Sequence, residues 1–289
     1  MTPSVTVLET GPLTTVQDSG RPGQAALGIG RSGACDRASY RLGNRLVGNN
    51  DNAAALEVTY GGLRLRADGH VVVVTTGARC ASAAPHNAPV SLRSGQVLEL
   101  GPPLSGLRTY LAVRGGFAVE PVLGSCATDV LSGLGPPVVS AGTVLTVGPS
   151  EQPHPGVDVA PVGDPEAGDV TVRVTPGPRR DWFSDQAWAS LLEQPWVVTH
   201  DSNRVGLRLE GQALARERNG ELPSEGMARG ALQVPASGQP VLFLADHPVT
   251  GGYPVIGYVD DVDIDRCGQL RPGQRLLLRP EQVRGTRRS

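Results

Sequence analysis

The 289-residue sequence predicts a mostly β protein of two domains, each a closed or half-closed β-barrel, with a few short helices. Three observations carry this reading. Gly 38 and Pro 25 are spread as punctuation between short apolar runs rather than gathered into low-complexity blocks. Strand-like alternation dominates, and helical spacing is confined to two short segments. A stretch without apolar periodicity, Gly148-Pro-Ser-Glu-Gln-Pro-His-Pro-Gly156 followed by Pro161 and Asp164-Pro165, has the chemistry of a linker between two halves. We place the boundary near residue 160, giving domains 1–160 and 161–289. Barrel closure would remove the exposed sheet edges that such strands otherwise leave.

In the N-terminal half, Leu63–Arg66 and Val71–Thr75 flank Ala67-Asp68-Gly69-His70, and Val90–Arg93 and Gln96–Leu100 flank Ser94-Gly95. Both sets read as antiparallel hairpins. Leu107–Val113 alternates and stops at Gly115-Gly116. A helix is expected over Arg37–Val47, with Asp36 as its N-cap and Gly48 just past its end. The C-terminal half opens with the strand Val170–Val174. A helix follows over Ser184–Glu193, with Trp188, Leu191 and Leu192 on one face and Pro195 ending it. Strands are expected at Val205–Leu209, Leu232–Val234 and Val241–Leu244, the last two joined by 235–240. A closing strand, Arg275–Leu278, follows the turn Pro272-Gly273.

Composition excludes several chemistries. The net charge of -2 offers no electrostatic footprint for nucleic acid. No apolar run approaches the roughly 18 residues of a membrane span. The first residues lack the basic and apolar regions of a secretory signal, so the cytoplasm is the expected compartment. All 26 basic residues are arginine. Without lysine there is no Schiff-base, pyridoxal-phosphate, Walker A or biotinyl lysine on this chain. Cys35, Cys80, Cys126 and Cys267 form no C-x-x-C, and the histidines are equally scattered. No metal site is expected, and the cysteines read as small buried hydrophobes.

The segment Ala245-Asp246-His247-Pro248-Val249-Thr250-Gly251-Gly252-Tyr253-Pro254 sets a carboxylate, a hydroxyl, two bare glycines and a tyrosine between apolar strands, more polar chemistry than a hairpin needs. Gln17-Asp18-Ser19-Gly20-Arg21-Pro22-Gly23 and Ser32-Gly33-Ala34-Cys35-Asp36 read either as sites or as a surface turn and a helix cap. In Asp201-Ser202-Asn203-Arg204, the arginine is either solvated or a fork for a carboxylate or phosphate. Gln233, after Glu221-Leu-Pro-Ser-Glu225-Gly226, is either inward and paired or outward and wet. No nucleophile elbow, H-E-x-x-H, P-loop or dinucleotide fingerprint is present.

These clusters, in this order, resemble the family of the C component of bacterial 5-oxoprolinase, also called the allophanate hydrolase subunit 2 or biotin-dependent carboxyltransferase family. The matching blocks are 17–23, Ser32-Gly33-Ala34 with Asp36, Leu56-Glu57, 111–117, Leu123-Gly-Ser125 with Thr128-Asp129, 202–206, 222–226, 232–235 and 250–254. Gly30, Cys126 and Gly135-Pro136-Pro137 depart from the family pattern, which bears on local loop shape. The resemblance implies paired cyclophilin-like β-barrels. It also implies work beside a homologous B component and a separate A component of the same enzyme complex. Together these would open a small amide substrate, 5-oxoproline, to glutamate, with ATP used by the complex and no cofactor on this chain alone. The alternatives it carries are carboxyl transfer to a urea-like amide, with biotin on another chain, and regulation of a kinase inhibitor. On this basis Arg204, Asp246 and Tyr253 are the expected catalytic residues, and Asn203, Glu225, Gln233, Gly251 and Gly252 the expected substrate-binding ones. The side chains should share one pocket, with Gly251 and Gly252 offering amides to a developing oxyanion. If Arg204 acts on substrate, Arg204→Lys should leave the melting temperature unchanged and remove most activity.

Overall fold

The computed structural model describes residues 2–150, 152–218, 220 and 222–281. The chain forms two compact units: one holds the described residues up to Ala167 together with Asp265–Arg271, the other holds Gly168–Ile264 and the described residues from Pro272 onward. No helix among the described residues is long and apolar enough to cross a membrane.

The first unit contains β1 (Ser4–Thr10), β2 (Leu13–Gln17), α1 (Arg37–Leu46), β3 (Ala55–Thr59), β4 (Leu63–Ala67) and β5 (Val71–Gly77). β6 (Val90–Leu92), β7 (Val97–Glu99), β8 (Arg108–Val113) and β9 (Val144–Thr146) complete it. One sheet runs β7-β4-β1-β9 and the other β2-β3-β8-β5-β6. Neither expected hairpin pairs with itself: β4 joins β1 and β7, whereas β5 joins β6 and β8. The tight turns at 68–70 and 94–95 are corners that hand the chain from one sheet to the other. Alternation explains why. Leu63, Leu65 and Ala67 share one apolar core with Val71 and Val73 of the opposing sheet, and Leu92 shares it with Leu98. A hairpin would put these residues side by side rather than face to face.

The five-stranded sheet is buried on both faces. Leu111 and Val113 point into the core between the sheets, while Tyr110 and Ala112 pack with Tyr40, Leu46 and Val47 of the α1 region. Helix α1 begins as predicted: the Asp36 carboxylate accepts from Ser39 N at 2.9 Å and Ser39 Oγ at 2.6 Å. Gly43 lets it approach closely, since a Cβ there would lie 3.2 Å from Thr76 Oγ1.

The second unit contains β10 (Val170–Pro176), α2 (Asp185–Glu193), β11 (Trp196–Val198), β12 (Gly206–Glu210) and β13 (Glu225–Gly226). β14 (Ala231–Gln233), β15 (Val241–Phe243), β16 (Thr250–Gly251), β17 (Val255–Val259) and β18 (Arg275–Pro280) follow; α3 (Asp261–Cys267) precedes β18, its residues to Ile264 counted with this unit and the rest with the first. Seven strands close a barrel in the order β10-β17-β14-β15-β12-β11-β18. Closure is a parallel seam between β10 and β18, pairing Val170 with Leu276 and Val172 with Leu278. Val170, Val172, Val174, Leu207, Leu209, Leu276 and Leu278 are all buried, the period-2 interior that a closed sheet requires. Ser184 caps α2 by accepting from Ala187 N at 3.0 Å. Strand β11 and helix α3 have no counterpart in the sequence reading.

Candidate functional site

In the second unit, β13 and β16 form a two-stranded ribbon that pairs Glu225 with Gly251 and Gly226 with Thr250. A register shift between Leu232 and Gln233 on β14 re-aims the Gln233 side chain. The amide is inward, 7% exposed, and its Nε2 donates to Tyr253 O at 3.2 Å. This contact explains Gly251: a Cβ there would sit 2.6 Å from Gln233 Nε2. The carbonyl of Gly252 accepts from Leu222 N at 3.3 Å, tying the ribbon to the preceding loop. Glu221 of that loop lies outside the described residues.

Arg179 follows β10 and donates through Nε to Glu225 Oε2 at 3.0 Å, with a second bond from Nη2 to Oε1. The hydrogen bond from Arg179 holds the Glu225 carboxyl below its ordinary range. Tyr253 is 43% exposed, and the Arg216 guanidinium lies 5.6 Å from the centre of its ring. Glu225, Gln233, Gly251, Gly252 and Tyr253 are thus neighbours, joined by Arg179 and Arg216. Neither arginine stands out in the sequence, because each meets its partner only through the fold.

Arg204 and Asp246 meet each other. Arg204 Nε and Nη2 bond Asp246 Oδ2 and Oδ1 at 2.8 and 3.0 Å, and their side chains are 1% and 0% exposed. Asp246 N also donates to Arg204 O at 3.0 Å, so the pair extends the β12–β15 ladder beyond both strands. The fork expected to meet a substrate is turned into the protein, onto the carboxylate at the head of the 246–253 loop. Asn203 is exposed, and its Oδ1 accepts from Val205 N at 2.8 Å, the local bond of an Asx turn. It therefore shapes the turn that presents Arg204.

The polar clusters of the first unit are also internal. Asp18 accepts from Gly20 N and Ser125 Oγ, both at 2.7 Å, and from Cys126 N at 2.6 Å. Arg21 is 1% exposed and donates to Ala127 O. Glu57 is 1% exposed and accepts from Tyr110 Oη at 2.7 Å and Cys35 N at 2.9 Å, with Arg108 Nε 3.3 Å away. Burial raises the pKa of Asp36 despite a 2.7 Å bond from Gln269 Nε2. These networks hold loops in place beneath the surface. Cys35, Cys80 and Cys267 are buried, Cys126 is partly so, and all four are free thiols. Among the described residues, no group of three or more His, Cys, Asp or Glu is arranged to hold a metal ion.

Comparison with known proteins places this architecture. Residues 27–280 match the family model described as carboxyltransferase domain, subdomain A and B. The chain is 37% identical to the C component of 5-oxoprolinase of Escherichia coli over 93% of its length and 88% of the relative's. It is 32% identical to urea amidolyase of Saccharomyces cerevisiae, covering 95% of this chain but 16% of that protein. The crystal structure of TTHA0988 superposes with a TM-score of 0.85 at 35% identity, covering 96% of this chain and 55% of that one. The K. lactis urea amidolyase structure gives 0.89 at 29% identity, covering 97% and 19% respectively. This chain thus spans about half of the first solved chain and about a fifth of the second. On the strength of a match running through both units, the chain belongs to the carboxyltransferase domain family, subdomains A and B.

Proposed function

We propose that this chain is the C component of an ATP-dependent 5-oxoprolinase, opening the lactam of 5-oxoproline to L-glutamate beside a homologous B component and an A component in the cytoplasm. The observation that carries this reading is the match to the Escherichia coli C component across nearly the whole of both chains. What a relative of equal extent does as a whole transfers better than the activity of a protein matched over a small fraction.

Lactam hydrolysis needs an activated carbonyl and donors placed for the developing oxyanion. ATP supplies the activation, and a chain without lysine carries no Walker A lysine of its own. This chain's part is positioning. The Gly251-Gly252 segment, bare of Cβ, leads into Tyr253, which is 43% exposed. Gln233 fixes Tyr253 through its carbonyl, and the Arg179–Glu225 pair fixes the opposite strand of the ribbon. Arg204 and Asp246 act as positioning residues that hold the loop.

The family description and the urea amidolyase match favour a second reading, carboxyl transfer to a urea-like amide, in which biotin arrives on another chain. Reconstitution with the A and B components separates the two. Glutamate should form from 5-oxoproline and ATP in the complex, and not with this chain alone. Gly251→Ala should lower kcat/KM about ten- to a hundredfold by displacing the Gln233 amide while moving Tm by only a few degrees. A complex that leaves 5-oxoproline intact but carboxylates urea would reverse the ranking.

A further inference from the structure

Arg216 lines an open groove of about 520 Å³. Its Nη2 donates to Val234 O at 2.6 Å, and its guanidinium carbon lies over the Tyr253 ring, 5.6 Å from the centre. Its Nε is buried without a hydrogen-bond partner. Among the described residues no carboxylate pairs with it, whereas its neighbour Arg218 meets Asp181 at 2.9 Å. Arg218 and Leu214 also line the groove, and the small residues Ala213, Ala215, Ala236 and Ser237 leave room that larger side chains would fill. The volume falls within the roughly 300–1,000 Å³ of small-ligand sites.

We propose that this groove receives the carboxylate of a small anionic amide and that Arg216 is the residue that reads it. The inference deepens the lactam reading above, in which the anion is the carboxylate on the substrate ring. A guanidinium held by an aromatic face and a backbone carbonyl has already lost much of its rotational freedom. Little ordering then remains to be done when an anion arrives. The aromatic face offsets only part of the positive charge, and a planar carboxylate matches the fork geometry. A neutral amide such as urea offers no such partner. Arg216 therefore selects for an acid over its neutral analogue. Tyr253, which carries the guanidinium, links the groove to the glycine ribbon.

The test uses the purified full-length chain, titrated by calorimetry with 5-oxoproline and with its neutral carboxamide. Wild-type protein should bind the acid saturably and the carboxamide at least about tenfold more weakly, the effect of one charged hydrogen-bonding partner. Arg216→Met should abolish that preference with little change in Tm, and Arg216→Lys should restore part of it. Equal binding of acid and carboxamide, no binding of the acid, or a preference that survives Arg216→Met would each overturn the proposal. Hydrolysis by the reconstituted complex is read separately. If Arg216-dependent acid preference holds while the complex makes no glutamate, the groove stands and the reaction falls. If Arg216→Met hydrolyses 5-oxoproline at the wild-type kcat/KM, the reaction stands and the groove falls.

Discussion

Removing the charge of Asp246 should cost this protein stability before it costs anything else. Arg204 and Asp246 are 1% and 0% exposed and share two hydrogen bonds. Asp246→Asn leaves the guanidinium inside without its counter-charge, and breaking one partner of such a buried pair costs about 3–5 kcal/mol. Arg204→Lys keeps the charge but loses the fork, and losing one hydrogen bond to a charged group costs about 1.5–3 kcal/mol. With about 4 °C of Tm per kcal/mol for a unit of this size, the shifts are about 12–20 °C for Asp246→Asn and about 6–12 °C for Arg204→Lys. The double variant Arg204→Met with Asp246→Leu should recover most of the loss, because paired apolar replacements of buried ion pairs are close to neutral. Calorimetric Tm and kcat/KM in the reconstituted complex are measured on the same preparations. The sequence alone predicts an unchanged Tm with lost activity for Arg204→Lys. Obtaining that result would refute the structural role and return the guanidinium to the substrate.

Two further outcomes follow from the electrostatics. Glu57→Gln removes the negative charge beside buried Arg108 and one acceptor shared by Tyr110 Oη and Cys35 N, so it should lower stability by about 3–5 kcal/mol in urea denaturation. Glu225 has its folded pKa depressed from 4.5 by Arg179, so the pair's contribution is complete above about pH 4.5 and is lost as pH falls through the folded value. The Tm difference between wild type and Glu225→Gln should therefore be constant from about pH 5 to 7 and shrink toward about pH 3. A constant difference across that whole range would show that the pair adds no pH-dependent stability.

Signals that live within a few residues were legible in the sequence. Asp36 announced the first expected helix, the Trp188, Leu191 and Leu192 face with Pro195 the second, and alternation located most barrel strands. The Gly-rich ribbon was legible as a close backbone approach, although Gln233 as the neighbour was not. What failed depended on partners. Alternation says which face of a strand is apolar, not which strand lies beside it, so the turns at 68–70 and 94–95 looked like hairpins when they are corners. Strand β11, with Trp196 fully buried, is three residues long and shorter than any periodic window. Helix α3 reads Asp-Val-Asp-Ile-Asp-Arg-Cys, with weak helix formers and no full stripe. Arg204 has the local chemistry of a solvated turn, and Asp246, which buries it, lies 42 positions away. Arg179 is equally far from explanation, with Glu225 46 positions on.

The return of 265–271 to the first unit bears on how the chain emerges from a ribosome. Gln269 supplies Oε1 to Arg108 N at 2.8 Å and its amide to Asp36 at 2.7 Å, so the cap of α1 waits for a residue made 233 positions later. The barrel waits as well, because β18 closes it, pairing parallel with β10 and antiparallel with β11. N-terminal domains ordinarily complete themselves during synthesis. Here a nascent chain halted just after β17 would hold two unfinished units, the first without the Gln269 bonds to Arg108 and Asp36 and the second with an open barrel edge where β18 belongs. A chaperone that shields such edges would have to stay bound until β18 had cleared the exit tunnel.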